Sequence, residues 1–422
     1  MPLAPLDMNV MAIAPVAIAR LATLDPHAFE DERSAEDVKF EFFSAMEPLE
    51  REWRRLESDN LNSLHQGYDW CLAWAKTHGN PLAIMRGTVD GECVCILPLE
   101  IVRQNMVRTA QFIGARFNNI NTGLFAPAFR ARCTKADSEA LAEALAAGLK
   151  GKADLVSLKN IPLDWRGDRN PFFGLPVIEH QNHSFQLPLF SDFDATIDQL
   201  NGKRRRKRFR GQTRKLEAAG GCDYVVARSD AEKLEMIDVF FHQKAVRFKA
   251  LGIPNVFQHA ETQCFFRMLL ERSGDGQDAP LELHALRLKG ENDGQIAAIA
   301  GMSRKGDHVI CQFGSINEDL VAEASPGEYL FWLMIERYCA EGAALFDFGV
   351  GDQEYKRRWC TVETIQHDVY LPISAVGRLS SLTQKGLTRG KAVIKGNPQL
   401  YAMIQRLRAY ADEEPEAPRQ TG

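Results

Sequence analysis

The feature that most limits the fold is a repeated order of elements. One stretch reads strand, helix ("FFSAMEPLEREWRRLE", 42–57), helix ("YDWCLAWAKTHG", 68–79), then "PLAIMRGTVDGECVCILPLEIV" (81–102), two β-rich runs split by Asp90-Gly91. Asp-Gly between such runs signals a tight hairpin. An Ala/Leu-rich helix, "SEALAEALAAGLKG" (138–151), and a strand, "ADLVSLKNI" (153–161), follow. A second stretch runs in the same order: helices "LEMIDVFFHQKAVRFKALG" (234–252) and "ETQCFFRMLLERSG" (261–274), a hairpin turning at Asp293-Gly294, the strand "HVICQFGSI" (308–316), the helix "EYLFWLMIERYCAEG" (328–342) and the strand "ALFDFGVG" (344–351). The likeness is of pattern and not of residues. It predicts a mixed α/β chain made of two copies of one unit, each a mostly antiparallel sheet flanked by helices.

Length agrees with two units, because 422 residues exceed the roughly 250 at which a single core stops growing. The expected division is a tail over 1–37, a first lobe over 38–195, a second lobe over 196–375 and a tail over 376–422, the last ending in "DEEPEAPRQTG". A net charge of -5 argues against a bulk polyanion binder, so no DNA partner is expected. Nine cysteines without a C-x-x-C pair fit neither a disulfide framework nor a zinc site, and point to a reducing cytoplasm. His180 and His183 have H-x-x-H spacing but read as a loop, and no metal is expected. The N-terminal "MNVMAIAPVAIARL" lacks the basic start and uninterrupted apolar run of a signal peptide, and no window reaches the roughly 20 apolar residues of a membrane span.

One run stands apart from the acidic background. In "NGKRRRKRFRGQTRKLEAAGG" (201–221), nine of the thirteen residues from Lys203 to Lys215 are basic. Helical spacing puts Arg205, Phe209, Gln212 and Leu216 on one stripe and most of the cations elsewhere. Three readings stay open: a solvated connector, a nucleic-acid site, or a site for a phosphate-rich small ligand, for which Arg and Lys bring charge and directed donors together.

The most informative segment is "SPGEYLFWLMIERYCAEGAALFDFGVGDQEYKRRWC", Ser325 to Cys360. Ser325, Pro326 and Glu328 predict a capping box at a helix start. After the strand, Gly349 and Gly351 permit a turn that gathers acid, phenol, amine and guanidinium groups at a strand end, a common ligand position in α/β proteins. Asp352 and Lys356, four apart, also fit a surface ion pair.

"SPG" opening a helix, "DFGVGDQEYKRRW", "GQIAAIAG" and "HQKAVRFKALG" together resemble the CelD/BcsL-type acetyltransferases associated with cellulose biosynthesis, which carry a GNAT (Gcn5-related N-acetyltransferase) domain and are related to the Fem-type peptidyltransferases. The resemblance spans roughly residues 40–375. It implies tandem GNAT-like lobes and transfer of an acyl group from acetyl-CoA or another acyl-CoA to an amine or hydroxyl of a sugar, polysaccharide precursor or small metabolite. It further implies that "HVICQFGSI", with Gln312 and Phe313, is the splayed strand that receives the thioester, and that Ser325-Pro326-Gly327 is the helix start that receives pyrophosphate. The usual phosphate loop is reduced here to Gly327, Pro326 removes an N–H and Glu328 adds negative charge. Arg205 and Arg208 would then neutralise donor phosphates. Candidate bases are Asp347, Asp352 and His242, and Tyr355 is a candidate acid. Lys244, Arg247, Lys356, Arg357 and Arg358 would hold a substrate carboxylate or phosphate, and Asn118 and Asn119 of "FNNINTG" an acceptor. Alternatives are a Fem-type aminoacyltransferase using aminoacyl-tRNA and a noncatalytic scaffold for envelope polysaccharide assembly.

Overall fold

The computed structural model describes residues 38–273 and 278–396; the stretch 1–37 expected as a tail, and 397–422, lie outside the described residues. The second half of the chain builds one sheet of seven strands. Their spatial order is Cys222–Val226, Ala279–Leu288, Ile296–Lys305, His308–Ile316, Leu345–Val350, Ser184–Pro188 and Val362–Thr364. The first half divides its strands between two larger sheets and a short hairpin, Asp164–Trp165 with Asp168–Arg169: Lys39–Phe43, Ile84–Val89, Glu92–Leu97 and Leu124–Phe125 form one sheet; Val177–Glu179, His367–Pro372, Leu155–Ile161, Val107–Phe112 and Leu99–Gln104 the other. The chain passes between these two at Pro98, the lone residue separating Glu92–Leu97 from Leu99–Gln104. Proline has no N–H to give a ladder, so the sheet breaks there. The expected turn at Asp90-Gly91 forms, with φ of 50° and 85°, whereas the turn at Asp293-Gly294 is lengthened by a 3-10 turn over Gly290–Asn292.

Two strands cross the boundary expected at residue 195. Ser184–Pro188 inserts between Leu345–Val350 and Val362–Thr364 of the second half's sheet, and His367–Pro372 returns to lie between Val177–Glu179 and Leu155–Ile161 of the first half. The halves are therefore interlocked. They also share a core: Trp70 and Trp74 of the helix Tyr68–His78 each meet Phe265 of the helix Ala260–Arg272 edge-on, with centroids 5.1 Å apart, and all six tryptophans are buried. Such pairs add to the area they bury.

The segment expected as a C-terminal tail is corrected in part, because Ala375–Gly396 is a helix packed on the strands Leu155–Ile161, Val107–Phe112 and His367–Pro372. Among the described residues no helix is long and apolar enough to cross a membrane.

The basic run forms the helix Gly202–Ala218. Its buried positions include Arg205, Gln212 and Leu216, three of the four residues of the expected stripe. Phe209, the fourth, stacks on Tyr329 and Trp332 at 4.8 and 4.5 Å. Arg205 lies 4.1 Å over the Trp359 ring and donates to the carbonyl of Arg358. A guanidinium buried against an indole is held by packing and cation–π attraction as much as by charge.

Candidate active site at two diverging strands

The strands His308–Ile316 and Leu345–Val350 pair in parallel over only three positions, His308↔Leu345, Val309↔Phe346 and Ile310↔Asp347. Beyond Ile310 they part. On its other side His308–Ile316 stays paired with Ile296–Lys305 out to Ile316, with a bulge at Gln312: Gly301 faces Phe313 and Met302 faces Cys311. A bulge adds one residue to one strand and bends it. The edge Cys311–Ile316 that faces the gap thus has no strand partner among the described residues. A cavity of about 820 Å³ fills this gap, with Cys311, Gln312, Phe313 and Gly314 on one side and Phe348 and Val350 on the other.

Helix Pro326–Ala340 starts at the cavity, which Ser325, Pro326, Gly327 and Glu328 help to line. The expected capping box does not form. Ser325 sits at φ 51°, its side chain caps nothing, and the Glu328 carboxylate is drawn to Arg208 at 2.8 Å. Val321, four residues earlier, has φ 41°, a conformation that costs a β-branched residue on the order of 1–3 kcal/mol and is concentrated at functional sites. The basic helix braces this turn, since Lys215 Nζ donates to the Glu323 carbonyl at 2.7 Å and Gln212 Nε2 to the Ser325 carbonyl at 3.4 Å.

Two lysines face the cavity. Lys356 is buried; its Nζ donates to the carbonyls of Gly349 (3.0 Å) and Val350 (2.8 Å), leaving one ammonium proton of three. Lys244 lies across the rings of Phe240 and Phe248, at 5.9 and 5.5 Å. Burial pushes both below the usual lysine pKa, because desolvation disfavours the charged form. Cys311 stands near both lysines, its thiol pushed up by burial to about 11. Tyr355, also in the lining, stacks on Phe331 at 5.8 Å and is raised by burial. The lining carboxylates Glu318 and Glu328 are both ion-paired, to Arg247 and Arg208.

Of the residues singled out from sequence, the cavity gathers Gln312, Phe313, Ser325, Gly327, Lys244, Arg247, Tyr355, Lys356 and Asn119. The others lie elsewhere, each for a visible reason. Asp347 is fully buried, accepting from Gly349 N–H at 2.7 Å and facing His308 Nε2 at 3.4 Å. Asp352 is on the surface, paired with Arg357 at 2.5 Å and not with Lys356 as the four-residue spacing suggested. His242 points outward, because its neighbours Phe241 and Gln243 take the inward positions of the helix Asp230–Ala250. Arg205 is consumed by Trp359 and Arg208 by Glu328. Arg358 reaches Glu354 at 3.4 Å, and Asn118 turns inward to the indole N–H of Trp70 at 2.9 Å. His183 meets Glu363 at 2.7 Å and Glu179 at 3.2 Å, acidic partners absent from the sequence reading. Among the described residues no His/Cys/Asp/Glu group is arranged to hold a metal.

The network behind the gap was missed. Asn119 reaches from the first half and ties the diverging strands together: its Nδ2 donates to Gln312 Oε1 at 2.9 Å and its Oδ1 accepts from Val350 N–H at 3.2 Å. Gly349 is glycine partly for this reason, since at φ 71° a Cβ there would stand 2.6 Å from Asn119 Oδ1. Buried His65 backs the tie, with Nε2 facing Asn119 N–H (3.4 Å) and the Gln312 amide, and Nδ1 facing the Ile120 carbonyl at 3.1 Å. Burial holds its pKa down at about 4, so the ring is neutral. No local signal links position 65 to position 312.

Residues 203–357 match the acetyltransferase (GNAT) domain. No curated protein matches the chain. Among solved structures, a crystal structure of FemX is similar over 81% of this chain and 100% of its own, at 14% identity and a TM-score of 0.54. The C-terminal domain of a lysylphosphatidylglycerol synthetase described as putative, from Agrobacterium fabrum, gives 79% and 95%, 10% identity and 0.48. A tandem GNAT protein from the clavulanic acid biosynthesis pathway gives 79% and 98%, 10% identity and 0.44. At such identities the likeness to FemX is one of fold. The GNAT match covers the divergence, the helix start and both cavity lysines, but ends before Arg358.

Proposed function

We propose that the chain is an acyltransferase that takes an acyl group from a coenzyme A thioester and passes it to an amine or hydroxyl of a sugar, polysaccharide precursor or small metabolite. The observation that carries this reading is the edge Cys311–Ile316, which has no strand partner on its cavity side among the described residues and opens onto a cavity that also holds a helix start and two desolvated lysines. The edge offers N–H donors to a carbonyl that becomes an oxyanion, and such preorganised donors are the main source of acceleration in acyl transfer. The helix start suits a phosphate group; the charge of Glu328 is offset by Arg208.

The chemistry follows from the lining. The acceptor's lone pair adds to the thioester carbon, and the oxyanion is held by the strand edge and the remaining ammonium proton of Lys356. Lys244, set against the rings of Phe240 and Phe248 at the cavity wall, is the lining group that takes the acceptor's proton. The C–S bond then breaks, and Tyr355 protonates the leaving thiolate. Asp347, Asp352 and His242 have no part in this scheme, because none lines the cavity. The resemblance of "DFGVGDQEYKRRW" to cellulose-biosynthesis acetyltransferases favours a saccharide acceptor and a role in exopolysaccharide assembly.

A second reading, an aminoacyl-tRNA donor, is favoured by one observation: Lys203, Arg204, Lys207 and Arg210, exposed on the basic helix, have no carboxylate partner among the described residues. Thiol release from acetyl-CoA, measured with a panel of amino sugars and amino acids, tests the first reading. Acceptor-dependent release that is lost in Tyr355→Phe and Lys356→Met supports it. Absence of release with every acceptor, together with salt-sensitive binding of tRNA lost in Lys203→Glu/Lys207→Glu, moves the assignment to the second.

A further inference from the structure

Over residues 375–386, the helix Ala375–Gly396 presents the wrong face to the core. Its inward positions are small or polar: Gly377 and Ser381 are buried, and a Cβ at Gly377 would stand 1.7 Å from the Asp154 carbonyl oxygen. The apolar residues Val376, Leu379 and Leu382 point away, being 46%, 69% and 68% exposed. Residues 375–396 contain five basic residues, Arg378, Lys385, Arg389, Lys391 and Lys395, and no acid. An amphipathic helix seated to bury its leucines would show the reverse pattern.

The surroundings continue this character. The helix start is fixed by Asp154, which Ser374 Oγ meets at 3.0 Å and the Arg108 guanidinium at 3.2 Å. Arg108 also donates to the Gly151 carbonyl at 2.7 Å, between exposed Lys150 and Lys152. Two residues before Arg108, at the hairpin tip, Met106 is 83% exposed. Apolar groups and cations thus converge around one helix, and the acid at its start, Asp154, is already neutralised.

We infer that this face rests on a lipid bilayer surface carrying anionic headgroups, with Val376, Leu379 and Leu382 entering the headgroup boundary and the flanking cations meeting lipid phosphates. Apolar residues and cations on an interfacial helix bind in this way, without spanning. The inference is independent of the acyl-transfer reading, because the helix lines no part of the cavity.

The test is co-flotation of the full chain with vesicles of phosphatidylcholine, alone or with phosphatidylglycerol. Binding is expected only with the anionic lipid, weakening as salt rises, and falling about tenfold in Leu379→Glu/Leu382→Glu. Both side chains are exposed, so the melting temperature should hold; Arg378→Ser/Lys385→Ser gives a second variant if it does not. Three results overturn the inference: no binding to anionic vesicles, equal binding by both variants, or a fall from dimer to monomer in the leucine variant, which would make this face a contact between copies.

Discussion

The two halves of the molecule contain the same divergence of strands and treat it in opposite ways. In the first half, Val107–Phe112 and Leu155–Ile161 pair in parallel only at Thr109↔Leu155 and Ala110↔Val156, then part. The loop "FNNINTG" closes that gap. Asn121 Nδ2 donates to the Lys159 carbonyl at 2.7 Å, Asn118 Nδ2 to the Ile113 carbonyl at 3.0 Å, and Asn160 Nδ2 returns a bond to the Asn118 carbonyl at 2.8 Å. In the second half the same geometry is left open as the cavity, and Asn119 of that same loop ties only its apex. The topology supplies the gap; what fills it decides whether a ligand can.

The sharpest way to break this contrast is at the open gap. Lys356→Met keeps the length of the side chain and removes the cation, so transfer should fall roughly 10²–10³-fold with the fold intact by circular dichroism. An unchanged rate would remove Lys356 from the chemistry. Next in size is the pH response of the tie. His65 titrates at about 4 in the folded chain against the usual 6.5. Its contribution is whole above pH 6.5 and is lost as pH falls toward 4, by roughly 3 kcal/mol in all. Denaturant unfolding of the chain and of His65→Gln across this window should diverge by that amount. Smaller again is a paired comparison of the two asparagines. Asn121→Ala, which unpairs buried groups of the filled gap, should cost about 2–3 kcal/mol without altering donor affinity. Asn119→Ala should cost about 1–2 kcal/mol and weaken donor binding, because it frees the apex of the open gap. Equal effects on binding would mean that the two gaps are not functionally distinct.

Much of this was legible from the chain. The repeated order of elements gave the mixed α/β class because hairpin and helix signals are local, and the stripe Arg205, Phe209, Gln212, Leu216 read correctly from helical spacing alone. Lys244, Gln312, Gly327, Tyr355 and Lys356 were picked out and do meet at one cavity. What failed was long-range. The exchange of Ser184–Pro188 and His367–Pro372 between halves depends on pairing across about 160 and about 210 residues respectively, for which a strand's own sequence carries no address. Asp347 reads as a base by its place at a strand end, yet its strand is interior to the sheet and its carboxylate is spent on Gly349 N–H and Gln186. Glu328 reads as a cap until Arg208, 120 residues earlier, competes for it.

The central claim is that the open gap receives the donor, and it is tested most directly by calorimetric titration of acetyl-CoA into the chain and into Gly314→Leu. A Cβ at Gly314 meets only the Ile299 carbonyl oxygen, at 3.5 Å, so the larger side chain can enter the cavity without forcing the backbone. The account predicts saturable, salt-sensitive binding that Gly314→Leu abolishes at an unchanged melting temperature. Equal binding by both proteins would place the donor elsewhere and contradict it.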